Sequence, residues 1–202
     1  MSLHRGLCLA LALAVAATLI TRIGLTTSDH GEGIGAALWR LYRFFTIWTN
    51  TVVGIWAALV VLRKRPSASF EAGLLLSISA VAIVYHTLLA GFVAFQGLAA
   101  VVDDMFHTFI PIAYAVLWLV FGRARSLRLR QVPVWLIYPL AYCGYAMMRG
   151  ASDGVYPYFF LDLGKQGVGG VVAYVIGLLM VFAVFGGVIV GVGRVKHRLG
   201  LA

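Results

Sequence analysis

Residues 41–62 read LYRFFTIWTNTVVGIWAALVVL. Apolar runs of about 20 residues are long enough to cross a bilayer as a helix, and this one reaches that length. Near its start, within Phe44–Asn50 (FFTIWTN), Thr46, Thr49 and Asn50 interrupt the run. On a helix, positions i, i+3 and i+4 share one face. The spacing therefore points all three polar side chains in one direction, inward and away from lipid.

The rest of the chain has the same character. Of 202 residues 62% are hydrophobic and only 11% charged, where an ordinary soluble domain has about 45–50% apolar and about 25% charged residues. A soluble core cannot absorb that excess, so the expected class is an all-α integral membrane protein. Six spans are expected, at about 7–25, 41–62, 72–95, 105–121, 132–149 and 169–193, forming a single domain over 1–202. Arg5 followed by an apolar run with Ala14 and Ala16 has features of a secretory signal peptide. The run continues through Thr18–Ile20, so it reads as a retained first helix. Cys8 and Cys143 both fall inside apolar runs, which implies neither a disulfide framework nor a zinc site. No cofactor is expected.

Charge sets the orientation. The net charge is +9, yet the basic residues lie between apolar runs, which is a topology signal rather than a nucleic-acid surface. Arg5, Arg63, Lys64, Arg65, Arg123, Arg125, Arg128, Arg130, Arg194, Lys196 and Arg198 fall on one side of the six-span scheme; of the seven acids only Glu71 joins them. Both termini are therefore expected in the cytoplasm, with external loops at 26–40, 96–104 and 150–168. Pro111 and Pro139 should kink the fourth and fifth spans, and Gly187-xxx-Gly191 suits close helix approach in the last.

Polar groups inside a membrane are costly and are read first as functional. Counting helix rise from the external side, Thr46 and His107 come to similar depth, with His86 deeper by about 10 Å. A nucleophile and its base need only approach within about 3 Å. The ordinary alternatives are plain: a membrane threonine bonds its own i−4 carbonyl, and an asparagine glues helices. His86, between Tyr85 and Thr87, reads as a packing residue that could also wall a substrate site. Arg43 shares a helical face with Thr46 and could hold a lipid carboxylate or phosphate; otherwise it snorkels or pairs with Asp103 or Asp104. Tyr156 and Tyr158, in VYPYFF, are either interfacial anchors or part of a lid.

Phe44-Phe45-Thr46 with Thr49-Asn50, His107 with Pro111, and Tyr156-Pro157, set in a six-span layout, resemble the six-pass membrane family of the androgen-induced and androgen-dependent tissue-factor-regulating proteins. That family includes many bacterial members, and this chain is closer to them, which implies a bacterial inner or plasma membrane. The animal members are intramembrane threonine hydrolases that cleave fatty acid esters of hydroxy fatty acids. The resemblance implies Thr46 as nucleophile and His107 as general base, acting on a membrane lipid or fatty acid ester. Thr49-Asn50 and Phe109-Ile110 depart from the animal pattern. Asn50 is the candidate oxyanion donor, with Thr49 beside it, and Asp103 or Asp104 would orient His107. Two other functions fit the class: a haem or quinone redox protein using His86 and His107, and a non-enzymatic lipid-binding membrane protein.

Overall fold

In the computed structural model, which describes residues 2–92 and 94–200, the chain is helical throughout, with no strand among the described residues. The helices are α1 (Leu3–His30), α2 (Ile34–Leu41), α3 (Phe45–Val61), α4 (Ala68–Val84), α5 (Leu98–Asp104), α6 (Ile110–Phe121), α7 (Val132–Asp153) and α8 (Leu163–Arg198). Single π-helical turns, Tyr85–Leu89 and Met105–Phe109, extend α4 and join α5 to α6. Four continuous helical stretches are long and apolar enough to cross a membrane: Leu3–His30, Ala68–Phe92, Leu98–Phe121 and Leu163–Arg198. The α2–α3 pair would make a fifth, bent by 102°. The α7 helix is 22 residues long, but Tyr138, Tyr142, Tyr145, two prolines and Arg149 leave it less apolar than those four. Several apolar helices of this length describe a multi-pass membrane protein.

The element boundaries depart from the sequence reading in ways that matter for chemistry. The expected span at 41–62 is not one rod. Tyr42-Arg43-Phe44 breaks the helix, Phe44 is extended (φ −96°, ψ 134°), and α3 begins at Phe45. Thr46 consequently lies in the first turn of α3 instead of several residues below its start. The expected fourth span begins seven residues early, at Leu98, and the third at Ala68. The earlier start of the fourth span places His107 deeper and that of the third raises His86, so the expected depth gap does not exist: His86 meets Thr108, next to His107.

The α4 helix is the hub, packed against α3, α6, α7 and α8, while α1 lies along α3 and α6. Close approach in α8 uses Gly186 and Gly193 rather than the expected Gly187 and Gly191. A Cβ at Gly186 would meet Val132 at 2.7 Å and one at Gly193 would meet Ala124 at 3.1 Å, whereas Gly187 and Gly191 have nothing within 4 Å. At the basic end a buried knot joins the helices. Glu71, fully buried, takes both oxygens' bonds from Arg65 (2.6 and 3.0 Å) and one from Trp56 (3.3 Å). Arg65 also donates to Phe121 O (2.7 Å), and Lys196 donates to Trp118 O and Gly122 O (2.9 Å each). The Phe121 and Gly122 carbonyls at the end of α6 lie where intrahelical donors run out, and Arg65 and Lys196 satisfy them. The opposite end of the bundle carries the candidate site.

Candidate functional site

The site follows from where α3 starts. Other threonines in the bundle bond the carbonyl four residues back: Thr18 to Ala14 O, Thr51 to Ile47 O and Thr87 to Ile83 O, each at 2.7 Å. Thr46 does not, because Tyr42 lies outside the helix and its carbonyl is taken by Trp48 Nε1 (2.7 Å) and the Tyr145 hydroxyl (3.0 Å). The Thr46 hydroxyl is left for another partner. Its Oγ1 lies 3.2 Å from His107 Nε2.

His107 is held by the π-turn Met105–Phe109, where the Ile110 N–H reaches back five residues to Met105 O. Such turns insert one residue into a helix and concentrate at functional sites. His107 Nδ1 faces the Asp103 carbonyl oxygen (2.9 Å) and carboxylate Oδ1 (3.1 Å). Two acceptors at Nδ1 place the ring proton there and leave Nε2 as the acceptor for the Thr46 hydroxyl. The Tyr85 hydroxyl donates to the other Asp103 oxygen, and the Tyr85 ring stacks on the His107 imidazole at 3.8 Å, 10° from parallel. Thr46, His107, Asp103 and Tyr85 thus form one hydrogen-bonded series. Of the two candidate acids only Asp103 contacts His107; Asp104 is exposed and points elsewhere.

Asn50 supports this arrangement from behind. It is fully buried, and its Nδ2 donates to Thr46 O (2.9 Å) and Phe106 O (3.3 Å). The Phe106 carbonyl is orphaned because the π register bypasses it and Pro111 has no N–H to give. Both amide protons of Asn50 are therefore committed, and Asn50 is not an oxyanion donor. Nor do Thr46, Thr49 and Asn50 face one way: Thr49, fully buried, sits 3.4 Å from the Tyr138 hydroxyl on α7.

The remaining candidates divide. Arg43 does not reach the site, since the break before α3 turns it outward to Asp153 (2.9 and 2.5 Å) and to the Val155 carbonyl. That partner is neither Asp103 nor Asp104. The guanidinium beside Asp153 holds its carboxyl well below the usual carboxylate range. Tyr156 packs against Gly150, where a Cβ would lie 2.2 Å from its ring, and does not line the cavity. His86 is exposed, its Nε2 3.0 Å from Thr108 Oγ1. It faces away from the cavity that His107 lines, so the two imidazoles do not flank a common axial position. Tyr158 does line the cavity, and its oxygen accepts the Phe45 N–H (3.1 Å).

That cavity has a volume of about 390 Å³, within the usual range of small-molecule sites. Thr46, His107, Asp103 and Tyr85 lie on its wall, and Phe44, Phe92, Phe95, Phe106 and Phe159 make it largely apolar. The Phe92 and Phe159 rings meet at 5.7 Å, linking the end of α4 to the loop after α7. Arg22 of α1 also faces the cavity, 5.0 Å above the Phe95 ring, with no carboxylate partner among the described residues. Among those residues no three His, Cys, Asp or Glu side chains form a metal-binding group.

Sequence reasoning missed Tyr85 and Arg22. A lone arginine inside an apolar run is itself a signal, and Arg22 offered it. Tyr85 offered none, because neighbouring His86 drew the functional reading and only the π-turn register decides which of the two points inward. No protein-family model, curated protein or solved structure matches the chain.

Proposed function

We propose that this protein is an intramembrane lipid ester hydrolase, with Thr46 as nucleophile, His107 as general base and Asp103 as the group that orients His107. The observation that carries this reading is the Thr46–His107–Asp103 hydrogen-bonded series on the wall of an apolar cavity. His107 Nε2 takes the Thr46 proton as Oγ1 attacks the ester carbonyl carbon, and the carbonyl π pair moves onto oxygen. Collapse of that adduct breaks the bond to the alcohol, which leaves with the proton from His107. Water then attacks the acyl-threonine by the same route, releasing the acid and returning a proton to Thr46.

An ester carrying an acidic group suits the cavity, because the Arg22 guanidinium, which meets Asp103 only at longer range, faces the same space. This agrees with the fatty acid esters of hydroxy fatty acids that the family resemblance implies. In the same proposal the chain crosses a bacterial inner membrane six times, with the knot of basic residues in the cytoplasm and the cavity in the outer half.

Activity-based labelling tests this. A fluorophosphonate should label the detergent-solubilised wild type at Thr46, and Thr46→Ala and His107→Ala should each lower the rate by about 10⁴-fold or more. Undiminished labelling of Thr46→Ala would reject the reading and leave a lipid-binding protein without chemistry.

A further inference from the structure

An ester carbonyl attacked by Thr46 becomes an oxyanion, and with Asn50 committed to two carbonyls that charge needs another donor. We infer that the Tyr158 phenolic O–H is the oxyanion donor of this site, stabilising the negative charge on the carbonyl oxygen as Thr46 adds to it. This rests on Thr46 being the nucleophile.

Three observations converge on Tyr158. Position is the first. Thr46 and Tyr158 line both the cavity described above and a narrower apolar pocket of about 60 Å³ beside it, between α4, α7 and α8. A carbonyl carbon over Thr46 would lie at the junction of the two spaces, with its oxygen toward the phenol. The second is hydrogen-bond direction. The Tyr158 oxygen accepts the Phe45 N–H at 3.1 Å, a first-turn amide of α3 with no partner inside the helix. An oxygen that accepts there keeps its own proton to give, and the positive end of α3 makes that proton a stronger donor. Its immediate neighbours include the Thr46 hydroxyl and Tyr142. Tyr142 spends its own proton on Arg43 O (2.7 Å). The third is rigidity. The Tyr158 ring stacks on Phe160 at 5.1 Å and meets Phe44 edge-on at 6.2 Å, so the hydroxyl is fixed before substrate arrives. Burial pushes the phenol above its ordinary range, which keeps it protonated at neutral pH.

The step moves no proton from Tyr158. The carbonyl oxygen gains an electron pair as Thr46 Oγ1 bonds to carbon, His107 holds the Thr46 proton, and Tyr158 shortens a hydrogen bond to the new anion. The bond is lost again when the carbonyl re-forms.

Tyr158→Phe keeps the ring and removes the donor. The expected result is a loss of about 100- to 1,000-fold in kcat on a chromogenic fatty acyl ester, with KM changed less than about threefold. A trifluoromethyl ketone, which forms an oxyanion on the nucleophile, should lose affinity for this variant by a similar factor, while a free fatty acid binds it as before. Tyr145→Phe is the control, because it removes a phenol that holds the adjoining backbone at Tyr42 O, a carbonyl Trp48 also bonds, and lines neither space; it should stay near the wild-type rate. Equal loss in both variants, or an unchanged kcat in Tyr158→Phe, overturns the assignment. Failure of the wild type to label at Thr46 would reject the hydrolase reading itself, and the two failures are read from different samples.

Discussion

A hydroxyl can give its proton only to an unprotonated ring nitrogen, so Asp103 acts on Thr46 entirely through His107. The carboxylate and the Asp103 carbonyl both hold the Nδ1 proton, which fixes the tautomer that leaves Nε2 facing Thr46. In serine triads the matching Asp→Asn change costs about 10⁴-fold because the amide favours the wrong tautomer. Here the backbone carbonyl remains as a second acceptor, so the expected loss for Asp103→Asn is smaller, about 10²-fold in kcat with KM unchanged. Tyr85→Phe keeps the stacked ring and removes only the hydroxyl that positions Asp103, and it should lose less than Asp103→Asn. Steady-state kinetics on both variants checks the order; a rise in KM with kcat intact would make Asp103 a substrate contact instead of a positioning residue.

The elements that carry these residues are irregular, and that is where the sequence stopped being legible. Thr46, His107 and Asp103 could be picked out because polar groups in apolar runs are few and because each offers recognisable chemistry. Their meeting depends on features without a residue signature: the 102° bend that places Thr46 in a first turn, and two π-turns that rotate Tyr85 and His107 toward each other. A regular 3.6-residue period aligned Thr49 and Asn50 with Thr46 and put His86 where Tyr85 belongs. Asn50 is the link between the two irregularities, since it bonds Thr46 O on one helix and Phe106 O on the other. Asn50→Ala should cost about 1–3 kcal/mol of stability by orphaning the Phe106 carbonyl, and lower kcat as His107 drifts from Thr46. Thermal unfolding in detergent, paired with kinetics, measures both; unchanged values would mean the π-turn holds itself. The bend has its own clasp in Arg43–Asp153. Asp153 has a folded pKa below its unfolded value of about 3.9, so its stabilising effect is complete above that pH and is lost as pH falls through the folded value. The melting temperature of the wild type should therefore fall below about pH 4 more steeply than that of Asp153→Asn, while the two run parallel near neutrality. Asp153 is exposed to solvent while Arg43 is buried, so added salt should shrink the difference in part.

Taken as a whole, the molecule has two dissimilar ends. One is tied by cations: Arg5 donates to Val61 O (3.1 and 2.6 Å), Arg65 bridges Glu71 and Phe121, and Lys196 closes on the α6 terminus. The other holds the cavity, α2 and the loop 154–162, with Asp153 and Asp162 nearby. The orientation proposed above, from the positive-inside bias, puts the first end in the cytoplasm and the cavity in the outer leaflet. Single cysteines in a Cys8→Ala, Cys143→Ala background read this out. Ser126→Cys lies exposed at the basic end, between α6 and α7, and Ala151→Cys lies exposed at the cavity end of α7. A membrane-impermeant maleimide applied to intact spheroplasts should label Ala151→Cys and reach Ser126→Cys only after the membrane is opened. The reverse pattern would put the cavity in the inner leaflet, so that substrate would have to come from the cytoplasmic side. Labelling of both sites in intact cells would mean that α7 does not cross the bilayer. In that case its tyrosines, Arg149 and prolines mark a helix lodged at the surface, and the proposed count of six spans would be rejected.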